Sequence, residues 1–215
     1  MRTFRVMAAG LAVLLASAEA ASAQAVRPFE GSWFWGAKGG ISSFSTTTVH
    51  GKVAPLVGGE WLITRKRFGL YIAADQTFFD ETSAVADRSG ELHEVGIKDL
   101  RRLTVAGLAF PRAFGALRPY AGFGFALNLI SEVALSDDFS DDNEAPYVAY
   151  AVEERKDRSS FVAMLGAQGQ LGRISPFAQV TYQPSQIGFL LNGRPAYFLE
   201  GGIRINIGSA IERFE

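Results

Sequence analysis

The feature that most constrains this chain is a strict alternation of apolar and polar or very small side chains, repeated in short segments along most of its length. The clearest case is Ala196 to Gly208, AYFLEGGIRINIG. Tyr197, Leu199, Gly201, Ile203, Ile205 and Ile207 share one face, and Ala196, Phe198, Glu200, Gly202, Arg204 and Asn206 share the other. Successive side chains of a strand point to opposite faces, so this is a strand with a hydrocarbon side and a polar side. Seven more segments read the same way: Ser32 to Phe44, Ala54 to Thr64, Phe68 to Phe79, Ile97 to Phe110, Pro119 to Ile130, Ser160 to Leu171 and Pro176 to Gln183. Within the fourth, the stretch IKDLRR alternates poorly, and it is expected to project beyond the apolar zone.

The connections carry the second constraint. Residues 45–51, 80–95, 132–158 and 184–195 make long loops, whereas 65–67, 111–117 and 172–174 make tight turns. Long and short therefore alternate along all eight strands. An up-and-down transmembrane barrel has this pattern, with long loops outside the cell, short turns in the periplasm and both termini on the short-turn side. The predicted fold is an all-β, eight-stranded antiparallel up-and-down transmembrane β-barrel.

The N-terminus predicts export. Arg2 and Arg5 precede the apolar run Val6 to Ala16, and Ala21-Ser22-Ala23 is a small-x-small cleavage pattern. The expected division is a signal peptide over 1–23 and a barrel domain over 24–215. The apolar run is far short of the ~20 residues that a spanning helix requires. The absence of cysteine excludes disulfides and thiolate metal sites, and 21 basic against 22 acidic residues give no sign of a nucleic-acid partner.

Which face points inward follows from side-chain size. The polar faces include Gly36, Gly40, Gly58, Gly122, Gly124, Gly166 and Gly202, too small for a solvated sheet surface but suited to a narrow barrel interior. The charged residues on those faces are Lys38, Glu60, Asp75, Arg102, Glu200 and Arg204, which sum to zero. Unpaired buried charge costs several kcal/mol per ion, so these six are expected to pair in a network that fills the lumen. On the opposite faces, Trp33, Trp35, Trp61, Tyr182 and Tyr197 suit interfacial aromatic girdles.

With these features the mature chain resembles the small eight-stranded outer-membrane barrels, the group of the OmpA transmembrane domain and the OmpX/Ail type. The resemblance also rests on a C-terminal assembly signal, here Glu200, Gly202, Ile205 and Ile207, although its last position is Ile rather than aromatic and the chain runs on to Glu215. It implies an outer-membrane location among phospholipid and lipopolysaccharide, insertion by the barrel-assembly machinery, a monomeric state, and surface recognition of an extracellular ligand through loops 80–95 and 132–158. The runner-up roles are a narrow channel or small-solute porin, a soluble lipid-binding barrel, and a lipid A deacylase.

Chemistry is sparse. There is no phosphate loop, no HExxH and no complete GxGxxG, since Gly122-Phe123-Gly124 lies in mid-strand. The two histidines, His50 and His93, fall in predicted loops, and neither has a serine two residues on. No catalytic residue and no cofactor are predicted. Asp137, Asp138, Asp141 and Asp142 supply oxygens for a divalent cation but lack the spacing of an EF-hand loop, and such runs are usually solvated.

Overall fold

The computed structural model describes residues 29–135, 144–184 and 194–209. The signal-peptide segment, Asp137, Asp138, Asp141 and Asp142, and the tail beyond Ser209 lie outside them. Eight antiparallel strands pair in sequence order and close on themselves. They are β1 (Ser32–Phe44), β2 (Lys52–Arg65), β3 (Phe68–Ala86), β4 (Leu92–Ala109), β5 (Leu117–Leu135), β6 (Asp157–Gly169), β7 (Ile174–Gln183) and β8 (Ala196–Ser209). Among the described residues, one helix, α1 (Glu144–Arg155), stands between β5 and β6.

The faces sort as the side-chain sizes dictate. Lys38, Glu60, Tyr71, Asp75, Arg102, Gln179, Glu200 and Arg204 point inward and are buried. Every strand presents large apolar residues outward: Trp35 is 56% exposed, Phe123 61%, Leu165 67% and Ile203 52%. A contiguous apolar ring this large is not the surface of a soluble monomer. On β5 the outward apolar run extends from Ala121 to Leu129, comparable with the ~9–11 residues of a tilted transmembrane strand.

Two predicted loops are largely regular structure. Residues 80–95 are a hairpin rather than a loop: β3 runs to Ala86, β4 starts at Leu92, and Thr82↔Gly96, Ala84↔Glu94 and Ala86↔Leu92 are paired. The alternation hid this because the β3–β4 register shifts between Thr77 and Asp80, opposite Asp99, whose φ is 54°. Below that bulge the even residues Leu100, Arg102 and Thr104 of β4 are buried, and above it the odd residues His93, Val95 and Ile97. An inserted residue breaks the period of two that strand reading depends on. His93 is accordingly a buried strand residue and not a loop residue, whereas His50 is exposed in its loop.

Residues 132–158 are likewise not all loop. β5 continues to Leu135, α1 covers 144–155, and β6 begins at Asp157. Pro146 sits in the first turn of α1, where its missing N–H costs nothing. Val148, Ala151 and Val152 repeat at helical spacing and are buried. They join Phe44, Leu56, Phe79, Val95, Ile97 and Phe198 in an apolar cluster at the long-loop end. A second cluster, of Phe29, Phe34, Leu62, Leu108, Phe110 and Met164 among others, lies at the short-turn end.

Candidate functional site

Between the two apolar clusters the lumen is occupied by ionic side chains. Lys38 Nζ lies 2.7 Å from Asp75 Oδ1 and 2.8 Å from Glu200 Oε1. Arg102 Nη2 lies 2.7 Å from both Asp75 Oδ2 and Glu200 Oε1. Two cations and two anions thus alternate in a closed square. The third pair, Arg204 with Glu60, is joined through Nε and Oε1. All six residues are at most 6% exposed.

Uncharged groups take up part of the remaining valences, while Arg102 Nη1 and Gln168 Nε2 are buried with no hydrogen-bond partner among the described residues. The Tyr71 hydroxyl donates to Glu60 Oε2 at 3.0 Å and accepts from Lys38 Nζ at 2.9 Å, linking the pair to the square. Gln179 Nε2 and Thr181 Oγ1 each donate to Glu200 Oε2 at 2.9 Å. Arg204 Nη1 donates to Gln168 Oε1 at 2.6 Å, and the Tyr120 hydroxyl donates to Gln179 Oε1 at 2.9 Å. Arg102 also stacks on Phe198, 3.6 Å from the ring centroid, and Arg204 on Phe177 at 4.0 Å. Charge-assisted bonds between buried groups offset the desolvation that isolated ions would suffer.

Glycine makes the room. Lys38 is paired across the sheet with Gly58 and Gly202, Glu60 and Arg204 both with Gly36, Asp75 with Gly58, and Glu200 with Gly40. A Cβ on Gly36 would sit 2.8 Å from Glu60 Cγ, and one on Gly58 2.5 Å from the Ala74 carbonyl oxygen. Sequence reading named the six charged residues but not Tyr71, Tyr120, Gln168, Gln179 and Thr181. Their signal was available, since all five occupy polar-face positions of their strands.

The other predicted positions fall as follows. Trp33, Trp35 and Trp61 cluster on the β1–β2 wall near the short turns, with ring centroids 5.1 Å (Trp33–Trp61) and 5.7 Å (Trp35–Trp61) apart. Tyr182 and Tyr197 pair at the opposite end of β7 and β8, 5.3 Å apart. Of the assembly-signal positions, Glu200 and Gly202 face the lumen, whereas Ile205 and Ile207 face outward and are exposed.

The tip of the β3–β4 hairpin holds a polar cluster that sequence reading missed. Asp87 Oδ1 accepts from the amides of Ser89 and Glu91 at 2.8 and 2.9 Å and from the Ser89 hydroxyl at 2.7 Å. Its Oδ2 lies 3.0 Å from His93 Nε2. The His93 hydrogen bond first, and those of Ser89 next, hold the Asp87 carboxyl well below its ordinary value. Candidate ligand atoms of Asp87, Glu91 and His93 lie within 4.8 Å of one another. The oxygens of Asp87 are already used in closing the tip, so the cluster acts as a turn clasp.

No protein-family model and no curated protein matches the chain. Solved structures do resemble it. The neisserial surface protein A matches with a TM-score of 0.53 at 10% identity, over 81% of this chain and 97% of that one. Ail, the attachment invasion locus protein of Yersinia pestis, solved in complex with the heparin analogue sucrose octasulfate, matches with a TM-score of 0.50 at 12% identity, over 83% of this chain and all of that one. The chain therefore has the fold of the small eight-stranded outer-membrane barrels of the OmpX/Ail type, and its exposed apolar ring is the surface that such a barrel turns to lipid.

Proposed function

We propose that this protein is a non-enzymatic outer-membrane barrel whose lumen is sealed and whose long-loop end is an interaction surface. The observation that carries the reading is the layering of the lumen: an ionic network of zero net charge between two apolar clusters. A solute crossing the barrel would have to separate ion pairs whose members are almost wholly buried and displace apolar packing at both mouths. Eight-stranded interiors are just wide enough to be filled by side chains.

The surface role is supported by the hairpin that carries β3 and β4 past the bulge, and by α1 seated over the same mouth. Both are regular structure, so these two parts of the long-loop end have a defined shape. Ail was solved with a sulfated ligand. Here the hairpin exposes Asp80, Glu91 and Glu94 against Arg88 and Lys98, a near balance that gives a polyanion no basic patch to hold.

The test pairs two measurements on protein from the membrane fraction. Unboiled and boiled samples should differ in mobility on an SDS gel, as a closed barrel resists the detergent until heated. The same preparation in a planar bilayer should give no sustained conductance. Reproducible ohmic steps would replace the sealed barrel with a narrow channel, and recovery without detergent would end the membrane reading.

A further inference from the structure

We infer that the short-turn end of the barrel binds the headgroup of an anionic phospholipid, in a cavity of about 180 Å³ lined by Lys66, Arg67, Arg112, Arg118, Phe110 and Glu30 among others. Four cationic side chains and one carboxylate line it, a surplus of positive charge suited to a phosphodiester. The inference rests on the reading of the barrel as lipid-embedded and goes beyond it, because nothing in that reading selects a headgroup.

Three observations converge. First, the cavity is built. Phe110 N donates to Arg67 O at 2.7 Å, tying the β2–β3 turn to the β4–β5 turn and fixing the bases of Arg67 and Arg112. Arg118 is held by Gln170 Oε1, 3.0 Å from its Nε, and lies 4.4 Å from the Phe29 ring centroid.

Second, Lys66 occupies the first central position of the two-residue turn at φ 50°. That conformation favours glycine and is strained for a long side chain. The turn thus places a lysine charge at the cavity mouth from a backbone conformation that glycine would adopt more easily.

Third, two of the cavity's cationic residues each have an exposed apolar neighbour in sequence. Phe68 follows Arg67 and is 69% exposed, and Leu117 precedes Arg118 and is 41% exposed. A ligand that satisfies both kinds of side chain has a phosphate joined to acyl chains, which a soluble anion does not. The three short turns together carry Lys66, Arg67, Arg112 and Arg173 and no acidic residue, so these turns attract the negative surface of a leaflet.

The experiment uses the full chain refolded in neutral detergent and examined by native mass spectrometry. It is mixed in turn with phosphatidylglycerol, with phosphatidylcholine of the same acyl chains, and with inorganic phosphate. One phosphatidylglycerol should be retained in preference to phosphatidylcholine, and inorganic phosphate should be lost. Lys66→Gly relieves the turn while removing one charge, and Arg112→Gln removes another from an exposed position. Each should lower the phosphatidylglycerol preference about fivefold, with the heat-dependent gel shift intact. Equal retention of both lipids, or a preference that survives both substitutions, overturns the inference. Retention of inorganic phosphate as firm as that of phosphatidylglycerol would make the cavity a soluble-anion site and overturn the lipid assignment. A wild-type chain with no gel shift would sink the barrel itself, a distinct failure.

Discussion

Removal of both members of the Arg204–Glu60 pair should cost well under the sum of the two single removals. The two side chains are buried and joined directly, with Tyr71 donating to the far oxygen of Glu60 and Gln168 accepting from Arg204. Glu60→Leu leaves Arg204 charged in a dry layer with only neutral partners, and Arg204→Met leaves Glu60 with only the Tyr71 hydroxyl. Each single change is expected to cost about 3–5 kcal/mol. In the double variant no orphaned ion remains. Its cost reduces to the hydrogen bonds lost by Tyr71 and Gln168, about 1–3 kcal/mol for each group left unsatisfied. The expected coupling is therefore several kcal/mol, against roughly 6–10 kcal/mol if the singles were additive. Urea titration of the refolded barrel in detergent, followed by tryptophan fluorescence and gel mobility, would read it. With a slope of about 1–3 kcal/mol per molar, each single shifts the midpoint by more than about 1 M, and the double shifts it by less than the two singles together. Additive singles would refute the reasoning, since they would mean that the ions are solvated inside the lumen.

Gly58→Ala should destabilise the barrel by about 1–3 kcal/mol, because its Cβ would meet Asp75 and the Ala74 carbonyl, whereas Gly59→Ala, outward and 3.8 Å from the nearest atom, should be close to neutral; the same titration compares them. Phe125→Arg on the outward face should cost about 2–4 kcal/mol in lipid, with equal stability of the two proteins counting against a mid-bilayer position. At the hairpin tip the Asp87 carboxyl is depressed, so its stabilisation is complete above the ordinary carboxylate value of about 3.9 and is lost as pH falls through the lower folded value. Hydrogen exchange at the Ser89 and Glu91 amides should therefore stay protected from neutral pH down to about 4 and lose protection only below; loss already near pH 5 would count against it. Asp87→Ala should abolish that protection at every pH.

Sequence periodicity carried the fold wherever a strand is uninterrupted. β5 and β8 could be read residue by residue because each keeps one phase within the wall. Legibility failed at Asp99, where one backbone twist exchanges the inward and outward sets, and a polar hairpin above it looked like loop. It failed again at α1, whose Val148, Ala151 and Val152 have helical spacing inside a segment otherwise dominated by acid. Within the lumen, charge was legible because an ion on an inward face demands a counter-ion. Tyr71 was less so, since nothing in an alternating pattern tells a structural tyrosine from a hydrogen-bond bridge. His93 and Asp87 meet only because the strands continue to the tip, so their pairing was not open to a reading that ended β3 at Phe79.

The seam between β1 and β8 has a further consequence for how the cylinder closes. On its lipid side β8 offers Ile203, Ile205 and Ile207, and a slip of two residues along β1 would exchange one isoleucine for another at almost no penalty. The lumen side does not allow it. In the observed alignment Glu200 meets Gly40, Gly202 meets Lys38 and Arg204 meets Gly36, so each of these three charged residues faces a glycine. Moved by two in one direction, Arg204 would oppose Lys38 and Glu200 would oppose Ser42, so a guanidinium would meet an ammonium; moved by two in the other, Arg204 would oppose the Phe34 ring and lose the space that Gly36 leaves it. The last strand to join can therefore test its alignment by whether charge finds space, and the greasy surface that holds the protein in lipid leaves that choice to the interior.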